Sequence, residues 1–322
     1  MGMKIRIIGL CLVAMLSMSG CGNGHSDVES SNDAQPLEAV EIIVDGSTAS
    51  RNETVDIVVE AIFEDGERQT VTGGFVISTD LIVEGENSVI IPGDALTGED
   101  FEIAVEYEGV GDKKSIKVVN LLSETIDDEG IITNPEALDM VVNKQRTLPS
   151  DYVPEDLVKV EVETCLPNEE INQLREVASD ALTRMFEGAE ADGFTLVARS
   201  GYRSYNTQTA LYNGYVSRHG QEYADKYSAL PGQSEHQSGL AMDITAQSVG
   251  LQLEDYFGDT DEGKWVSEHA HEYGFIIRYP LGMEDITGYL YEPWHLRYLG
   301  VDLATEVYES GLTLEEYFMS FE

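Results

Sequence analysis

The sequence predicts an α+β protein in which a small all-β sandwich precedes a larger mixed domain. Three observations lead to this prediction. The chain has 322 residues, which is more than one small domain needs. Short β-branched runs separated by turn signals fill residues 37–120, whereas helical apolar periods alternate with strand-like runs in residues 137–322. An acidic segment, residues 121–136, is the predicted linker between the two parts.

The charge of the chain excludes one class of partner. Asp and Glu number 60 against 19 Lys and Arg, so the formal net charge is -41. A surface this negative repels phosphate backbones, and we therefore expect no nucleic-acid partner.

The first 36 residues are typical of an export and anchoring signal. Residues 1–20 combine Lys4 and Arg6 with an apolar run that is too short to span a bilayer, as in a signal peptide. The stretch that ends at Cys21 resembles a bacterial lipobox, which implies cleavage before Cys21 and lipid attachment to its sulfur. Residues 21–36 would be a flexible tether, and the protein would be held by lipid on the extracellular face of the bacterial cytoplasmic membrane. The alternative is an ordinary cleaved signal with an incidental cysteine.

The β-rich part favours a spacer. Turn signals such as Asp45-Gly46 and Asp65-Gly66 separate its strand-like runs, which predicts a small antiparallel sandwich. The segment loosely resembles bacterial immunoglobulin-like domains. It contains no His and no Cys, so a metal site of soft ligands is not expected there. Binding of a ligand or of the cell wall is the alternative to a spacer role. The predicted strands are residues 40–44, 55–63, 75–77, 88–91, 101–107 and 116–119.

Helices and strands alternate in the mixed domain. An apolar period predicts a helix over residues 168–191, begun by Pro167 and Asn168. The remaining predicted elements, in chain order, are a strand at 194–198, helices at 206–219 and 261–273, a strand at 275–279 and a final helix at 302–310.

Two histidines and one aspartate in this domain suit a metal. His236, Asp243 and His295 are the ligand types that catalytic zinc takes, three at a time, and Gly239 permits the bend that lets them converge. We therefore expect one Zn²⁺ per chain. Glu292 stands close enough to His295 in sequence to accept a proton from water at the metal. Positions 292 and 295 face opposite sides of a flat strand, so a bulge or twist is expected between them.

A second group of residues suits substrate binding. Arg203 follows a predicted strand, and its guanidinium can form two parallel hydrogen bonds with a carboxylate, such as a free C-terminus. Gln208 and Ser234 could supply further polar contacts, and Trp294 and Tyr291 could form the wall of the pocket.

The motifs that carry these residues resemble a known family. Residues 141–300 resemble the VanY-like D-alanyl-D-alanine carboxypeptidases, the zinc-dependent M15B peptidases. The family's S-x-H-x₆-D signature is matched by Ser234, His236 and Asp243, its E-x-W-H signature by Glu292, Trp294 and His295, and its Y-R-S motif by residues 202–204.

The resemblance carries implications for fold and chemistry. It implies zinc ligation by His236, Asp243 and His295, a base at Glu292 and carboxylate recognition by Arg203. It further implies a hedgehog/DD-peptidase-like fold with a central antiparallel sheet flanked by helices. The implied activity is removal of the C-terminal D-alanine from peptidoglycan stem peptides. Two alternatives stay open: an L,D-carboxypeptidase acting on tetrapeptide stems, and a non-catalytic cell-wall-binding lipoprotein.

Overall fold

The structure of the protein is a computed structural model that describes residues 36–93 and 95–321. The predicted signal peptide, Cys21 and all but the last residue of the predicted tether lie outside the described residues. From Leu37 onward the chain forms one compact unit. Within the described residues, no helix combines the length and the apolar character that crossing a membrane requires.

The N-terminal part consists of two β-sheets. Its strands are β1 (Leu37–Val44), β2 (Thr48–Ala49), β3 (Thr54–Phe63), β4 (Arg68–Val71), β5 (Val76–Thr79), β6 (Ile82–Glu84), β7 (Ser88–Ile90), β8 (Asp100–Tyr107) and β9 (Val110–Val118). One sheet has the order β1-β3-β7-β6, with β4 paired to β3, and the other has the order β2-β9-β8-β5. Both sheets are antiparallel apart from the short parallel pair β2 and β9.

Both sheets contribute their apolar faces to one core. Val55, Ile57 and Val59 of β3 are buried while the residues between them are exposed, which is the period of a half-buried strand. They share a hydrophobic cluster with Ile103 and Val105 of β8, in the other sheet. This arrangement is a two-layer sandwich, as the sequence predicts, and the likeness to immunoglobulin-like domains stays a prediction.

Every predicted run in this part lies in or overlaps a strand, but three short strands were missed. β2 has two residues, while β4 and β6 are almost wholly exposed. A strand with no buried face carries no alternation of apolar and polar residues, so the sequence pattern does not reveal it.

The C-terminal part is α+β with a central antiparallel sheet. Its strands are β10 (Leu157–Lys159), β11 (Gln173–Arg175), β12 (Val197–Ser200), β13 (Ala241–Thr245), β14 (Phe275–Tyr279) and β15 (Glu292–Tyr298). Its helices are α1 (Glu176–Ala191), α2 (Tyr205–His219), α3 (Gln221–Tyr227), α4 (Asp261–His269), α5 (Glu284–Thr287), α6 (Val301–Ser310) and α7 (Leu314–Met319). The central sheet has the order β12-β13-β15-β14, and β10 and β11 form a separate two-stranded sheet.

The central strand β13 is buried on both faces. Met242 and Ile244 join the core cluster that also contains Leu182 and Met185 of α1. Side chains alternate across a strand, so Asp243, between Met242 and Ile244, points to the opposite face. That face carries the polar residues described below.

The predicted helix over residues 168–191 is wrong in its first eight residues. Residues 173–175 form β11 and pair with β10, and α1 begins only at Glu176. Leu174 fits the helical period, but it is fully buried in this hairpin. Pairing with a distant strand outweighs the local periodicity here, because most helical stability in proteins comes from tertiary packing.

Other elements differ in smaller ways. The strand predicted at 194–198 lies at Val197–Ser200, and the helix predicted at 261–273 ends at His269 with a 3₁₀ turn after it. The predicted final helix is followed by α7, which begins with a capping box between Thr313 and Glu316. The T-x-x-E pattern for this box is visible in the sequence. Helix α3, directly after α2, was also missed.

The predicted linker packs against the C-terminal part. Ile132 is buried in the main core, and Arg146 donates hydrogen bonds to Leu122 and Thr125. The predicted domain boundaries stay a prediction.

A buried carboxylate joins the two parts. Asp139 accepts hydrogen bonds from Thr97 and Asn120 and forms an ion pair with Arg51 of the β-rich part. Removing Arg51 would leave the buried carboxylate of Asp139 without its counter-ion, which is costly, so this contact favours the observed packing of the two parts.

Candidate active site

The register of the central sheet assembles the polar face. Asp243 of β13 lies directly opposite Ser200 of β12 on one side and His295 of β15 on the other. Directly opposed residues of antiparallel strands point to the same face of the sheet. Three neighbouring strands therefore present a hydroxyl, a carboxylate and an imidazole side by side.

An irregularity in β15 brings Glu292 to this face. Ile277 pairs with Leu296, but Tyr279 pairs with Glu292, so β15 holds two extra residues between these pairs. In a regular strand, positions 292 and 295 would point in opposite directions. The extra residues turn Glu292 back, and its Oε2 lies 3.6 Å from Nδ1 of His295. The bulge expected from the sequence is confirmed.

A 3₁₀ turn before β13 carries His236. The turn spans Glu235–Ser238 and ends at Gly239, whose φ of +67° lies in the left-handed region that favours glycine. The Nδ1 of His236 lies 2.8 Å from the carbonyl oxygen of Gly201. Because that oxygen only accepts, Nδ1 carries the proton and Nε2 presents its lone pair. A Cβ at Gly201 would meet the carbonyl oxygen of Gln173 at 2.4 Å, so the close approach requires glycine.

The three predicted ligands converge. Ligand atoms of His236, Asp243 and His295 all lie within 4.8 Å of one another, and all three residues are buried. Nε2 of His236 lies 3.4 Å from Oδ2 of Asp243, and Nδ1 of His295 lies 3.2 Å from Oδ1 of Asp243. The two imidazole rings have centroids 4.9 Å apart in an edge-on arrangement.

These distances suit a small tetrahedral cation. With zinc–ligand bonds of about 2.0–2.1 Å, neighbouring ligand atoms of a tetrahedron lie about 3.3 Å apart. Each histidine nitrogen lies close to that spacing from one carboxylate oxygen of Asp243, His236 from Oδ2 and His295 from Oδ1. In addition, Oδ1 of Asp243 is buried and accepts no hydrogen bond from the described residues. A buried acceptor of this kind needs a partner, and a cation would provide one.

The charges around the site favour a cation as well. Burial alone would lower the pKa of His295, but the carboxylates of Asp243 and Glu235 outweigh it and raise the pKa to about 9. Burial alone would raise the pKa of Asp243, yet the neighbouring His236 and His295 hold it well below its usual range. The two carboxylates therefore stabilise a positive charge on the ring of His295, whereas burial lowers the pKa of His236.

Glu292 has the properties of a proton acceptor. Burial, the largest effect, and the negative charge of Asp243 raise its pKa to about 7, while His295 and Arg203 act in the opposite direction. A carboxyl group with a pKa near the working pH can both take up and release a proton.

Arg203 makes no ion pair with any described residue. Its Nη1 donates to Oε1 of Gln208 at 2.7 Å, its Nη2 donates to Oγ of Ser200 at 3.3 Å, and its backbone N–H donates to the carbonyl of His236. The guanidinium is thus held beside the three candidate ligands by neutral partners. A half-buried cation with no counter-ion is suited to bind an anionic group of a ligand.

The remaining predicted binding residues have different surroundings. Gln208 is buried and donates from Nε2 to Ser228 and Ala229, so it holds Arg203 in place from behind. Trp294 is half-buried and packs against the main core. Ser234, also buried, immediately precedes the 3₁₀ turn that carries His236. The substrate contacts of these three residues stay predictions.

A buried charge cluster behind the site was not expected from the sequence. Glu235 accepts hydrogen bonds from Arg278 and Arg297, and Arg278 also pairs with Glu315 of α7. Burial alone would raise the pKa of Glu235, but the two arginines hold it well below its usual range. The sequence gives little indication of this cluster, because Glu and Arg are usually exposed and only the tertiary fold shows that these residues are buried.

The chain is similar to known carboxypeptidases. The family described as VanY, D-alanyl-D-alanine carboxypeptidase, matches residues 171–301. YodJ of Bacillus subtilis (strain 168), named as a carboxypeptidase, is 49% identical over 195 residues, which are 60% of this chain and 71% of YodJ. The D-alanyl-D-alanine carboxypeptidase of Enterococcus faecalis is 36% identical over an alignment of 187 residues, and the match covers 55% of this chain and 64% of that protein.

A solved structure extends the likeness to the fold. The LD-carboxypeptidase LdcB, in a structure described as revealing the molecular basis of peptidoglycan recognition, is 48% identical with a TM-score of 0.58. The match covers 60% of this chain and 91% of LdcB. The family match and the extent of the likeness to YodJ agree with the motifs and with the sheet that presents them. The chain therefore belongs to the VanY family of D-alanyl-D-alanine carboxypeptidases and is a peptidase.

Proposed function

We propose that this protein is a zinc-dependent carboxypeptidase that removes the C-terminal D-alanine from peptidoglycan stem peptides. The observation that carries the proposal is the position of Arg203, which forms no ion pair with any described residue, beside a buried cluster of three side chains of metal-ligand type. A peptide C-terminus on Arg203 would supply the missing negative charge. Recognition of a free carboxylate next to the reacting bond is the property that distinguishes a carboxypeptidase from an endopeptidase.

The residues present fit a zinc ion. His236 would bind it through Nε2, His295 through Nδ1 and Asp243 through a carboxylate oxygen, a donor set that suits zinc better than magnesium. Zinc bound at such a site polarises a carbonyl group and lowers the pKa of water toward neutrality.

Glu292 would move the proton. In this mechanism its carboxylate accepts a proton from the attacking water as the water oxygen bonds to the scissile carbonyl carbon. As the C–N bond breaks, Glu292 transfers that proton to the amino group of the departing D-alanine. Arg203, fixed by Gln208 and Ser200, keeps the terminal carboxylate in place during both steps.

The alternative is an L,D-carboxypeptidase that acts on tetrapeptide stems. The 48% identity to LdcB, an LD-carboxypeptidase, favours this alternative. The two activities differ in the configuration of the residue before the scissile bond and share the same carboxylate, cation and base. Both therefore need the residues assigned above.

Substrate cleavage tests the proposal. We expect the purified protein to shorten a pentapeptide stem ending in D-Ala-D-Ala by one residue, which mass spectrometry of the product measures. Treatment with a chelator removes the activity, and added Zn²⁺ restores it. Cleavage of the tetrapeptide stem alone would establish the alternative. Binding to peptidoglycan sacculi without any product would instead identify a non-catalytic wall-binding protein.

We further propose that Cys21 carries a lipid that anchors the protein to the extracellular face of the cytoplasmic membrane. The lipobox-like sequence before Cys21 supports this. In a producing bacterial cell, we expect the wild-type protein in the membrane fraction and Cys21→Ser in the soluble or secreted fraction, as detected by immunoblotting. An unchanged distribution of Cys21→Ser would contradict lipid anchoring.

A further inference from the structure

The two ring nitrogens of His295 face different carboxylates. Nδ1 lies on the side of Asp243, where the three candidate ligands meet, whereas Nε2 lies 3.2 Å from Oε2 of Glu235. Glu235 is not one of the three ligands. Its side chain is fully buried in the 3₁₀ turn directly before His236. The contact between Glu235 and His295 is therefore separate from the cation site.

Two arginines fix the carboxylate of Glu235. Its Oε1 accepts hydrogen bonds of 2.8 Å from Nε of Arg278 and from Nη1 of Arg297. All three side chains are fully buried. A carboxylate flanked by two guanidinium groups only accepts hydrogen bonds, so Oε2 requires a donor, and Nε2–H of His295 is in position to be that donor.

The arginines are anchored in turn. Nη2 of Arg297 donates to the carbonyl oxygens of Leu138 and Met140, and Arg278 forms an ion pair with Glu315 of α7. Neither guanidinium can follow a displaced carboxylate without breaking these bonds. The position of Glu235 is thus determined chiefly by its direct bonds to Arg278 of β14 and Arg297 of β15.

We propose that Glu235 is a positioning residue that keeps the proton of His295 on Nε2 and so presents the lone pair of Nδ1 to the bound cation. The inference rests on the proposed function only in that the site holds zinc. A neutral imidazole carries one proton on either nitrogen, and the hydrogen bond made by one nitrogen decides which of them is free to bind a metal. His236 has the corresponding partner in the carbonyl oxygen of Gly201.

Replacement of Glu235 by glutamine tests this role. A glutamine keeps the size of the side chain, but its amide can donate to Nε2 of His295 and so stabilise the wrong tautomer. We expect Glu235→Gln to bind Zn²⁺ about 10-fold to 100-fold more weakly than the wild type. The affinity is measured on metal-free protein by competition with a chromophoric chelator, which requires no substrate.

Glu315→Gln is the matched control. It removes another buried carboxylate from Arg278, but Glu315 makes no hydrogen bond or ion pair with His295. We expect both variants to lower the melting temperature, and only Glu235→Gln to lower the zinc affinity. Equal affinity of Glu235→Gln and wild type would overturn the inference, as would an equal loss in Glu315→Gln. If the wild-type protein itself binds no zinc, the proposed function fails instead.

A spectroscopic measurement on the wild type is independent of whether Glu235→Gln folds. In zinc-loaded protein with ¹⁵N-labelled histidine, long-range ¹H–¹⁵N correlation spectra distinguish the two tautomers of each ring. We expect the proton of His295 on Nε2. A proton on Nδ1 would overturn the assignment of Glu235.

Discussion

Glu292→Gln is expected to lower kcat by about 10²-fold to 10⁴-fold, the range that a positioned general base contributes. Glutamine is nearly the same size but cannot accept a proton from water, so chemistry is lost while the cavity stays the same. Zinc content should not change, because Glu292 is not among the three converging ligands. Steady-state hydrolysis of the stem peptide, together with metal analysis of the same sample, measures both quantities.

The pH dependence supplies a second readout for Glu292. Burial raises the pKa of Glu292 from its ordinary value to about 7. Glu292 can act as a base only when its carboxyl group is ionised. The wild-type kcat/KM should therefore fall as the pH drops through this pKa, and a bound cation would move the fall to lower pH. Glu309→Gln on the surface of α6 is the control, with unchanged activity expected. Full activity of Glu292→Gln would refute the assignment of the base.

The sequence predicted which side chains converge better than it predicted the elements that carry them. His236 and Asp243 could be paired because Gly239 lies between them, and the left-handed conformation of Gly239 in the structure confirms that bend. The bulge before His295 was predictable because a flat strand cannot present positions 292 and 295 on one face. Both predictions follow from local geometry, and local geometry depends on few residues.

Features that depend on distant pairing were not predictable. The first part of the helix predicted from residue 168 instead forms the β10–β11 hairpin. The sequence does not distinguish the two structures, because the apolar spacing of Leu174 fits a helix and a buried strand equally well. The cluster of Glu235, Arg278 and Arg297 depends on three separate segments meeting in the core. Nothing in a run of charged residues indicates which of them will be buried.

Gln208 illustrates a further limit. The sequence placed it near Arg203 as a candidate substrate ligand, because both follow the same strand. The structure commits both ends of its amide to the protein, with Oε1 on Arg203 and Nε2 on Ser228 and Ala229. The sequence correctly places Gln208 beside Arg203. The partners of its amide nitrogen lie in the loop after α3, and the sequence does not show that this loop packs against α2.

Arg203→Met should reduce kcat/KM for stem peptides by about 10²-fold to 10³-fold, because a charge-assisted, bidentate contact in a partly dehydrated site is lost. Arg203→Lys should recover only part of this loss, since an ammonium group cannot form two parallel hydrogen bonds with one carboxylate. Steady-state kinetics with wild type and both variants measures these differences, and zinc content serves as the control for an intact cation site.

A substrate change distinguishes carboxylate recognition from a general structural effect of Arg203. The same stem peptide with a C-terminal amide lacks the negative charge that the guanidinium would bind. We expect the wild type to cleave the free acid much faster than the amide. Arg203→Met should cleave the acid and the amide at similar low rates, because once the guanidinium is absent, removal of the carboxylate has no further effect on the rate. If Arg203→Met retained the wild-type preference for the free acid, the carboxylate would be bound elsewhere. Since Arg203 forms no ion pair with any described carboxylate and is held by the neutral side chains of Gln208 and Ser200, its guanidinium is the group that we expect to bind a ligand carboxylate.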